Sequence, residues 1–172
     1  QTGAFNPNDL LSRLLVGCLN LGSFPPGERL EGLAPVDYVS KAIVYLSQQP
    51  ASLGKAFHLL NPQPLELKML FKVIHSFGYP LQQISNDCWQ AKLALISDRF
   101  PEHPLYPLIP LLNETPNSSP TTLSFECKNT LQILNNNSII CPATDEKLLS
   151  LYLSHIIRNN SASLPQKDII HK

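Results

Sequence analysis

Prolines interrupt this sequence at short intervals and limit what it can fold into. Sixteen prolines stand against seven glycines in 172 residues. Each proline fixes φ and removes a backbone amide donor, so long unbroken helices are disfavoured. Prolines recur every few positions between residues 100 and 120, where we expect irregular structure and, at 113–120, a mobile loop. Because 43% of the residues are apolar, the short elements have enough material for a core.

Apolar residues recur at spacings of three and four in several segments, which is the pattern of amphipathic helices. The first predicted helix runs from Asn8 to Leu21, with Asn6 as its cap and Gly22 as its stop. Asp37 is predicted to cap a second helix. The inward face of that second helix is predicted to be Val39, Ile43 and Leu46.

Four more helices are predicted further along the chain. The third covers residues 65–77, and the fourth begins near Ser85 with an apolar face of Trp89, Leu93 and Ile96. The last two lie in the segments SFECKNTLQIL and TDEKLLSLYLSHIIR. Short strands are predicted at KAFHLLN, residues 55–61, and within 79–84. The fold class is therefore mainly α with a few short strands, without the alternating units of a doubly wound parallel sheet.

Charge and composition exclude several classes of function. Thirteen basic side chains balance thirteen acidic ones, so the chain has no basic field for nucleic acid or for an anionic membrane surface. No stretch approaches the roughly 20 apolar residues that span a bilayer, and no signal sequence opens the chain. We expect a cytoplasmic protein. Its four cysteines stand far apart, which predicts buried free thiols and no metal site.

The sequence contains no self-sufficient catalytic constellation. Its five histidines never fall at the i, i+4 spacing of a helical metal pair, and no G-x-S-x-G nucleophile motif is present. Its seven glycines are dispersed, so no glycine-rich loop can place several amides against a pyrophosphate. A cofactor, if one is used, is expected to bind residues outside this chain.

Several ordered blocks of sequence resemble a known family. QTGAFNPNDLLSRLLVGCLNLGSFP, followed by APVDYVSKAIVYLSQQPASLGKAFHLLNPQP, is similar to the carboxyl half of extended short-chain dehydrogenases. SFECKNTLQIL and IICPATDEKLLSLYLSHIIRN resemble the terminal helices of a narrower group. That group is the thioester reductase domains that end nonribosomal peptide synthetases and polyketide synthases. The resemblance implies that residues 1–160 are the carboxyl-terminal substrate-binding and carrier-recognition subdomain, with 161–172 as a loose tail.

The resemblance implies NADPH-dependent release of an acyl or peptidyl chain, as an aldehyde or alcohol, from the phosphopantetheine thioester of a carrier protein. Members of the family supply the proton donor as a tyrosine with a lysine four residues later. Here no tyrosine has that lysine; Tyr38, for example, is followed by Ala42. We therefore predict no catalytic and no cofactor-binding residues in this chain, and assign both to an amino-terminal Rossmann half of the same polypeptide. The opening at Gln1, without a methionine, is read as the middle of something longer.

The roles that remain for the residues of this chain are to bind the substrate and to shape its pocket. The resemblance puts Thr2, Gly3 and Phe5 at the edge of the nicotinamide and acyl pocket, although Phe5 equally fits a hydrophobic staple on the first helix. It also makes the loop at 24–35, beginning with Phe24 and Pro25, the entrance for the pantetheine arm. An acidic carrier protein is predicted to be met by cationic side chains, unless these only form a solvated helix face. The candidates are Lys68, Lys72 and Lys92.

Two other functions remain open at this point. The first is a noncatalytic helical module that uses the same surface only for protein docking. The second is the carboxyl-terminal lobe of a nucleotide-sugar epimerase or dehydratase, because the PVDYVSKAIVYL type of helix is shared broadly among dehydrogenases. The FECKNT and CPATDEKLL blocks argue against the second alternative.

Overall fold

Helices dominate the computed structural model, which describes residues 6–113 and 126–160. The helices are α1 (Leu10–Leu21), α2 (Val36–Ser47), α3 (Leu67–Ser76), α4 (Asn86–Arg99), α5 (Ile109–Asn113), α6 (Lys128–Asn135) and α7 (Glu146–Asn160). The strands, each two residues long, are β1 (Ser23–Phe24), β2 (Arg29–Leu30), β3 (Leu65–Glu66) and β4 (Gln82–Gln83). The prediction of a mainly α fold with a few short strands is confirmed for these residues.

The chain divides into two compact units, each assembled from separate stretches of sequence. Among the described residues, the α2–α6 unit comprises 29–66 and 126–145. The α1–α7 unit comprises 6–28, 67–113 and 146–160.

Helix α1 begins two residues later than the sequence predicts. Asp9, not Asn6, is its N-cap, and the Asp9 carboxylate accepts a hydrogen bond from the Ser12 amide at 2.6 Å. The Asn6 side chain instead accepts the amide of Asn8 at 3.0 Å, which forms a turn ahead of the helix. The helix ends at Gly22, as predicted, in the left-handed conformation with φ 60°.

A glycine allows α1 to approach the proline-rich segment of the α1–α7 unit. Leu105 is fully buried, and a Cβ added at Gly17 would lie 2.4 Å from the Leu105 Cγ. This segment, predicted to be irregular, contains a 3-10 turn at Tyr106–Leu108 that leads directly into α5. The small residue on α1 is therefore what lets the two segments pack.

Helices α3, α4 and α7 complete this unit. The predicted face of α4 is confirmed, because Trp89, Leu93 and Ile96 are each at most 2% exposed, and the Ser85 side chain caps the helix. Helix α3 packs against α7, which presents buried Leu153 and Ile156. The last predicted helix, in the segment TDEKLLSLYLSHIIR, is thereby confirmed.

A small parallel ladder joins two distant parts of the same unit. β1 pairs with β4 in the register Ser23 to Gln82 and Phe24 to Gln83. The strand predicted within 79–84 is therefore confirmed, over two residues. The ladder places the chain leaving α1 directly beside the segment that precedes α4.

The core of the α2–α6 unit lies between its two helices. Tyr38, Ala42 and Leu46 of α2 are buried together with Leu134 of α6. The prediction that Ile43 faces inward is wrong, since 53% of its surface is exposed. Helix α2 is apolar on more than one side, so its sequence alone does not fix which side is buried.

The strand predicted at KAFHLLN does not form, because a strand needs a hydrogen-bonding partner. Residues 55–61 have no strand or helix, and Phe57 and Leu59 instead pack against the core of the α2–α6 unit. The antiparallel ladder of this unit lies elsewhere, between β2 and β3. Asn61, 5% exposed, donates to the Thr144 hydroxyl at 3.1 Å and joins the two stretches of the unit.

Several predictions concern residues that the structure does not describe. The loop predicted at 113–120 lies outside the described residues except for Asn113, and the tail at 161–172 lies wholly outside them. Within residues 6–113 and 126–160, no helix is both long and apolar enough to cross a membrane.

Candidate functional site

The predicted entrance loop, residues 24–35, begins three residues after the end of α1, and its first part, 24–28, belongs to the α1–α7 unit. Gly22 turns the chain into β1, and the loop continues through Pro25, Pro26, Gly27 and Glu28 in the α1–α7 unit. Its base is buried at Ser23 and Phe24, whereas residues 26–28 are exposed. The loop is therefore anchored at its start and open to solvent at its tip.

Hydrogen bonds from two neighbouring segments fix the backbone of this loop. The amides of Gln82, Ile84 and Leu67 donate to the carbonyls of Gly22, Phe24 and Glu28, at 3.2, 3.1 and 2.9 Å respectively. The Gln83 side-chain amide donates to two further carbonyls of the loop, which belong to Pro25, at 3.2 Å, and Gly27, at 2.6 Å. Four of the five carbonyls of residues 24–28 thus accept a hydrogen bond from the start of α3 or from residues 83–84.

Two of the predicted substrate-binding residues lie in this loop. Phe24 is 2% exposed, and its ring meets that of Phe71 edge-on with 5.6 Å between centroids. Pro25 is half-buried beside it. The other three, Thr2, Gly3 and Phe5, lie outside the described residues. Substrate binding by all five stays a prediction.

The three candidate lysines differ in their surroundings. Lys68 is exposed near the start of α3, and Lys92 is half-buried on α4. The Lys72 ammonium donates to the Glu146 carboxylate in an exposed ion pair that links α3 and α7. Part of the predicted positive charge is therefore neutralised by the protein itself.

Burial is the main cause of the pKa shifts of three titratable side chains among the described residues. Burial raises the pKa of Tyr38, with smaller contributions from Cys141 and Cys127, and burial also raises the pKa of Tyr79. Burial lowers the pKa of His103, whose Nδ1 accepts from the Leu105 amide at 3.2 Å. These shifts favour the neutral form of each group.

Metal ligation finds no support in the part of the chain that the structure describes. There, no three histidine, cysteine or acidic side chains come close enough to hold an ion. The prediction of buried thiols is right for Cys18, whose pKa burial raises, and wrong for Cys88, which is exposed on α4.

The α2–α6 unit carries two surface clefts that the sequence gave no reason to expect. One, of about 300 Å³, lies between the 3-10 turn at residues 50–52 and α6. It is lined by Ala51, Lys55, Asn129, Gln132, Ile133, Asn136 and Asn137. The other, of about 480 Å³, lies along the exposed side of α2. It is lined by Ser40, Lys41, Val44, Tyr45, Gln48 and Ile139.

Comparison with solved structures identifies the fold. The chain superposes on the terminal R domain of the myxalamid PKS-NRPS biosynthetic pathway with a TM-score of 0.82 and 34% identity, over 96% of this chain and 42% of that one. A thiolation-reductase di-domain from an archaeal nonribosomal peptide synthetase gives a TM-score of 0.70 at 18% identity, over 94% of this chain and 34% of that one. The second likeness concerns the fold alone.

Sequence comparison points the same way, although no family model matches the chain. The nonribosomal peptide synthetase FrzA of a Cladobotryum species is 33% identical over 91% of this chain. The chain spans only 16% of that synthetase. By fold and by sequence, the chain is therefore similar to part of these larger proteins. The relatives include nonribosomal peptide synthetases and an aldehyde reductase of Aspergillus flavus, and the structural match covers the carboxyl-terminal part of a terminal R domain.

Proposed function

We propose that this chain is the substrate- and carrier-facing part of an NADPH-dependent thioester reductase, which releases a carrier-bound acyl or peptidyl chain as an aldehyde or alcohol. The observation that carries the proposal is the superposition on the myxalamid R domain over 96% of the chain at 34% identity. Such agreement across nearly the whole chain, in both sequence and fold, favours a common role over a shared architecture alone.

NADPH does not fit the residues present. Binding a pyrophosphate requires several backbone amides that converge from a glycine-rich loop at a helix start, and the glycines here are scattered. The tyrosine and lysine of the family's proton donor are also missing at the required spacing. We therefore assign cofactor and proton transfer to an amino-terminal Rossmann half of the same polypeptide, and substrate selection to this chain.

The exposed side of α2 supports an interface with that half. Val36, Ile43 and Val44 are 69%, 53% and 58% exposed, and the larger cleft runs along the same helix. Apolar side chains grouped on one helix are unfavourable in water unless another surface covers them. Residues 55–61, which are rich in apolar side chains but have no strand partner, lie in the same unit.

Substrate contacts are assigned to the loop after β1 and to the amino-terminal residues before α1. Phe24 and Pro25 would shape the base of the pantetheine entrance, and Thr2, Gly3 and Phe5 the edge of the acyl pocket. An acidic carrier protein would approach the helices from α3 onward, where Lys68 is exposed. The thiolation-reductase di-domain is a solved example in which a carrier domain and a reductase of this fold occur in one chain. A cytoplasmic location stays a prediction.

Two experiments separate this function from its alternatives. The full-length protein should consume NADPH and form an aldehyde when given an acyl thioester on its carrier protein. Turnover of a sugar nucleotide without such consumption would instead support an epimerase or dehydratase. A noncatalytic docking module would bind the carrier but leave both substrates unchanged.

The assignment of the cofactor to the amino-terminal half can be tested separately. Calorimetry on the isolated 172-residue chain should detect no NADPH binding, because the phosphate-binding loop is assigned elsewhere. Micromolar binding would show that the assignment of the cofactor to the other half is wrong.

A further inference from the structure

One side chain on β4 connects the ladder to the entrance loop. The Gln83 side-chain amide donates to the carbonyls of both Pro25 and Gly27, on either side of Pro26. We propose that Gln83 is the positioning residue of this loop, fixing the shape through which an acyl chain passes. The proposal rests on the proposed thioester reductase function for the role of the loop, although not for the contact itself.

Among the described residues, backbone hydrogen bonds hold the two ends of the loop but not its middle. Pro25 and Pro26 lack amide hydrogens and cannot donate to the neighbouring ladder. The backbone bonds of the ladder and of α3 reach the carbonyls of Gly22, Phe24 and Glu28 but leave those of Pro25 and Gly27 to Gln83. The middle of the loop therefore depends on one side chain that is itself exposed.

The arrangement also determines what the loop can offer a ligand. The Pro25 and Gly27 carbonyls are engaged by Gln83, so the exposed tip offers the Pro26 ring and the Gly27 backbone, followed by the Glu28 carboxylate. A proline ring next to a glycine gives a rigid apolar contact suited to methylene groups rather than to a polar head group. The expected contact is with methylene groups of the pantetheine arm and of the acyl chain that it carries past the loop.

The adjacent residue provides a matched control. Gln82 lies on the same two-residue strand and is exposed like Gln83, and its backbone amide, which substitution leaves in place, makes the bond to Gly22. The test compares Gln83→Glu and Gln83→Leu with Gln82→Glu and Gln82→Leu in the full-length reductase. Glutamate at position 83 would place carboxylate oxygens against the Pro25 and Gly27 carbonyl oxygens, which repel them. Leucine has a similar size but no hydrogen-bond donor.

Two measurements are made on all four variants. Amide hydrogen exchange at Ile84 and Leu67, whose amides donate to the carbonyls of Phe24 and Glu28, should be about tenfold faster in the Gln83 variants than in the Gln82 variants. With carrier-bound octanoyl thioester, KM should rise about tenfold in the Gln83 variants, equal to about 1.4 kcal/mol, while kcat stays within about twofold. The KM for the carrier-bound acetyl thioester should also rise, because the pantetheine arm that lies in the entrance is the same in both substrates.

The possible results separate the Gln83 hydrogen bonds from the proposed reductase function. Equal exchange in the Gln83 and Gln82 variants would overturn the proposal whatever the enzyme does. Faster exchange with unchanged KM would overturn the role of the loop in substrate selection. If wild-type protein reduces neither thioester, the proposed function fails and the entrance role fails with it, while the exchange data still decide whether Gln83 fixes the loop.

Discussion

Replacing Gly17 by alanine tests the closest packing contact in the α1–α7 unit. The added Cβ would lie 2.4 Å from Leu105 Cγ and 2.8 Å from its Cδ2, far inside van der Waals contact. Leu105 is fully buried and cannot swing into solvent to relieve the overlap. An overlap this deep should cost about 2–3 kcal/mol, the upper part of the range for an overpacked core, and the gain in helix propensity from glycine to alanine returns about 1 kcal/mol. The expected net loss in the free energy of unfolding is about 1–2 kcal/mol.

Thermal unfolding is a suitable assay, because a loss of this size lowers the Tm of a chain this long by about 2–8 °C. Gly27→Ala is the matched control, since its added Cβ would lie at an ordinary 3.5 Å from Leu67 Cδ1. In a protein that already carries Leu105→Ala, the further change Gly17→Ala should cost little stability, because the clashing atoms are gone. A Gly17→Ala variant as stable as wild type, with Leu105 present, would refute the close packing of α1 on this segment.

Three further predictions concern local contacts. Asp9→Ala should lower the free energy of unfolding by about 1 kcal/mol in urea titrations, whereas Asn6→Ala should change it by less than about 0.5 kcal/mol. The reverse order of the two effects would show that Asn6 is the cap of α1. Because burial lowers the pKa of His103 below its usual 6.5, the unfolded state binds the proton more readily, so stability should fall as pH drops through 6.5 and below. His103→Gln should flatten that dependence in denaturation curves at pH 5 to 7, and an unchanged slope would exclude His103 as its source. A thiol reagent should label exposed Cys88 rapidly and buried Cys18 only on unfolding, and equal rates would contradict the packing of α1.

Local patterns in the sequence predicted the helices well, because the residues that make a helix are neighbours along the chain. The start of α4 near Ser85, and Trp89 with Leu93 as a buried face, follow from spacing and side-chain chemistry alone. Asp9 was missed because Asn6 is an equally good cap three residues earlier, and the choice depends on where the helix packs. Ile43 was misassigned because α2 has apolar residues around most of its circumference.

Features that depend on distant contacts were beyond prediction from the sequence. Residues 55–61 have the composition of a strand, but pairing depends on a partner that local composition does not reveal. Gln83 gave no signal at all, since an exposed glutamine in a two-residue strand looks like any surface residue. Its role becomes visible only when the ladder places it against the Pro25 and Gly27 carbonyls. The same applies to the clefts, whose walls come from separate parts of the sequence.

The division of the chain into interleaved units has a consequence for how it folds during synthesis. The α1–α7 unit is completed by α7, so α1 leaves the ribosome more than a hundred residues before its last partner exists. The bond between the Leu67 amide and the Glu28 carbonyl closes a loop that contains all of residues 29–66. Contacts so distant in sequence form slowly, and the apolar face of α1 stays uncovered meanwhile. Expression of this protein is therefore expected to depend on chaperones that shield nascent chains.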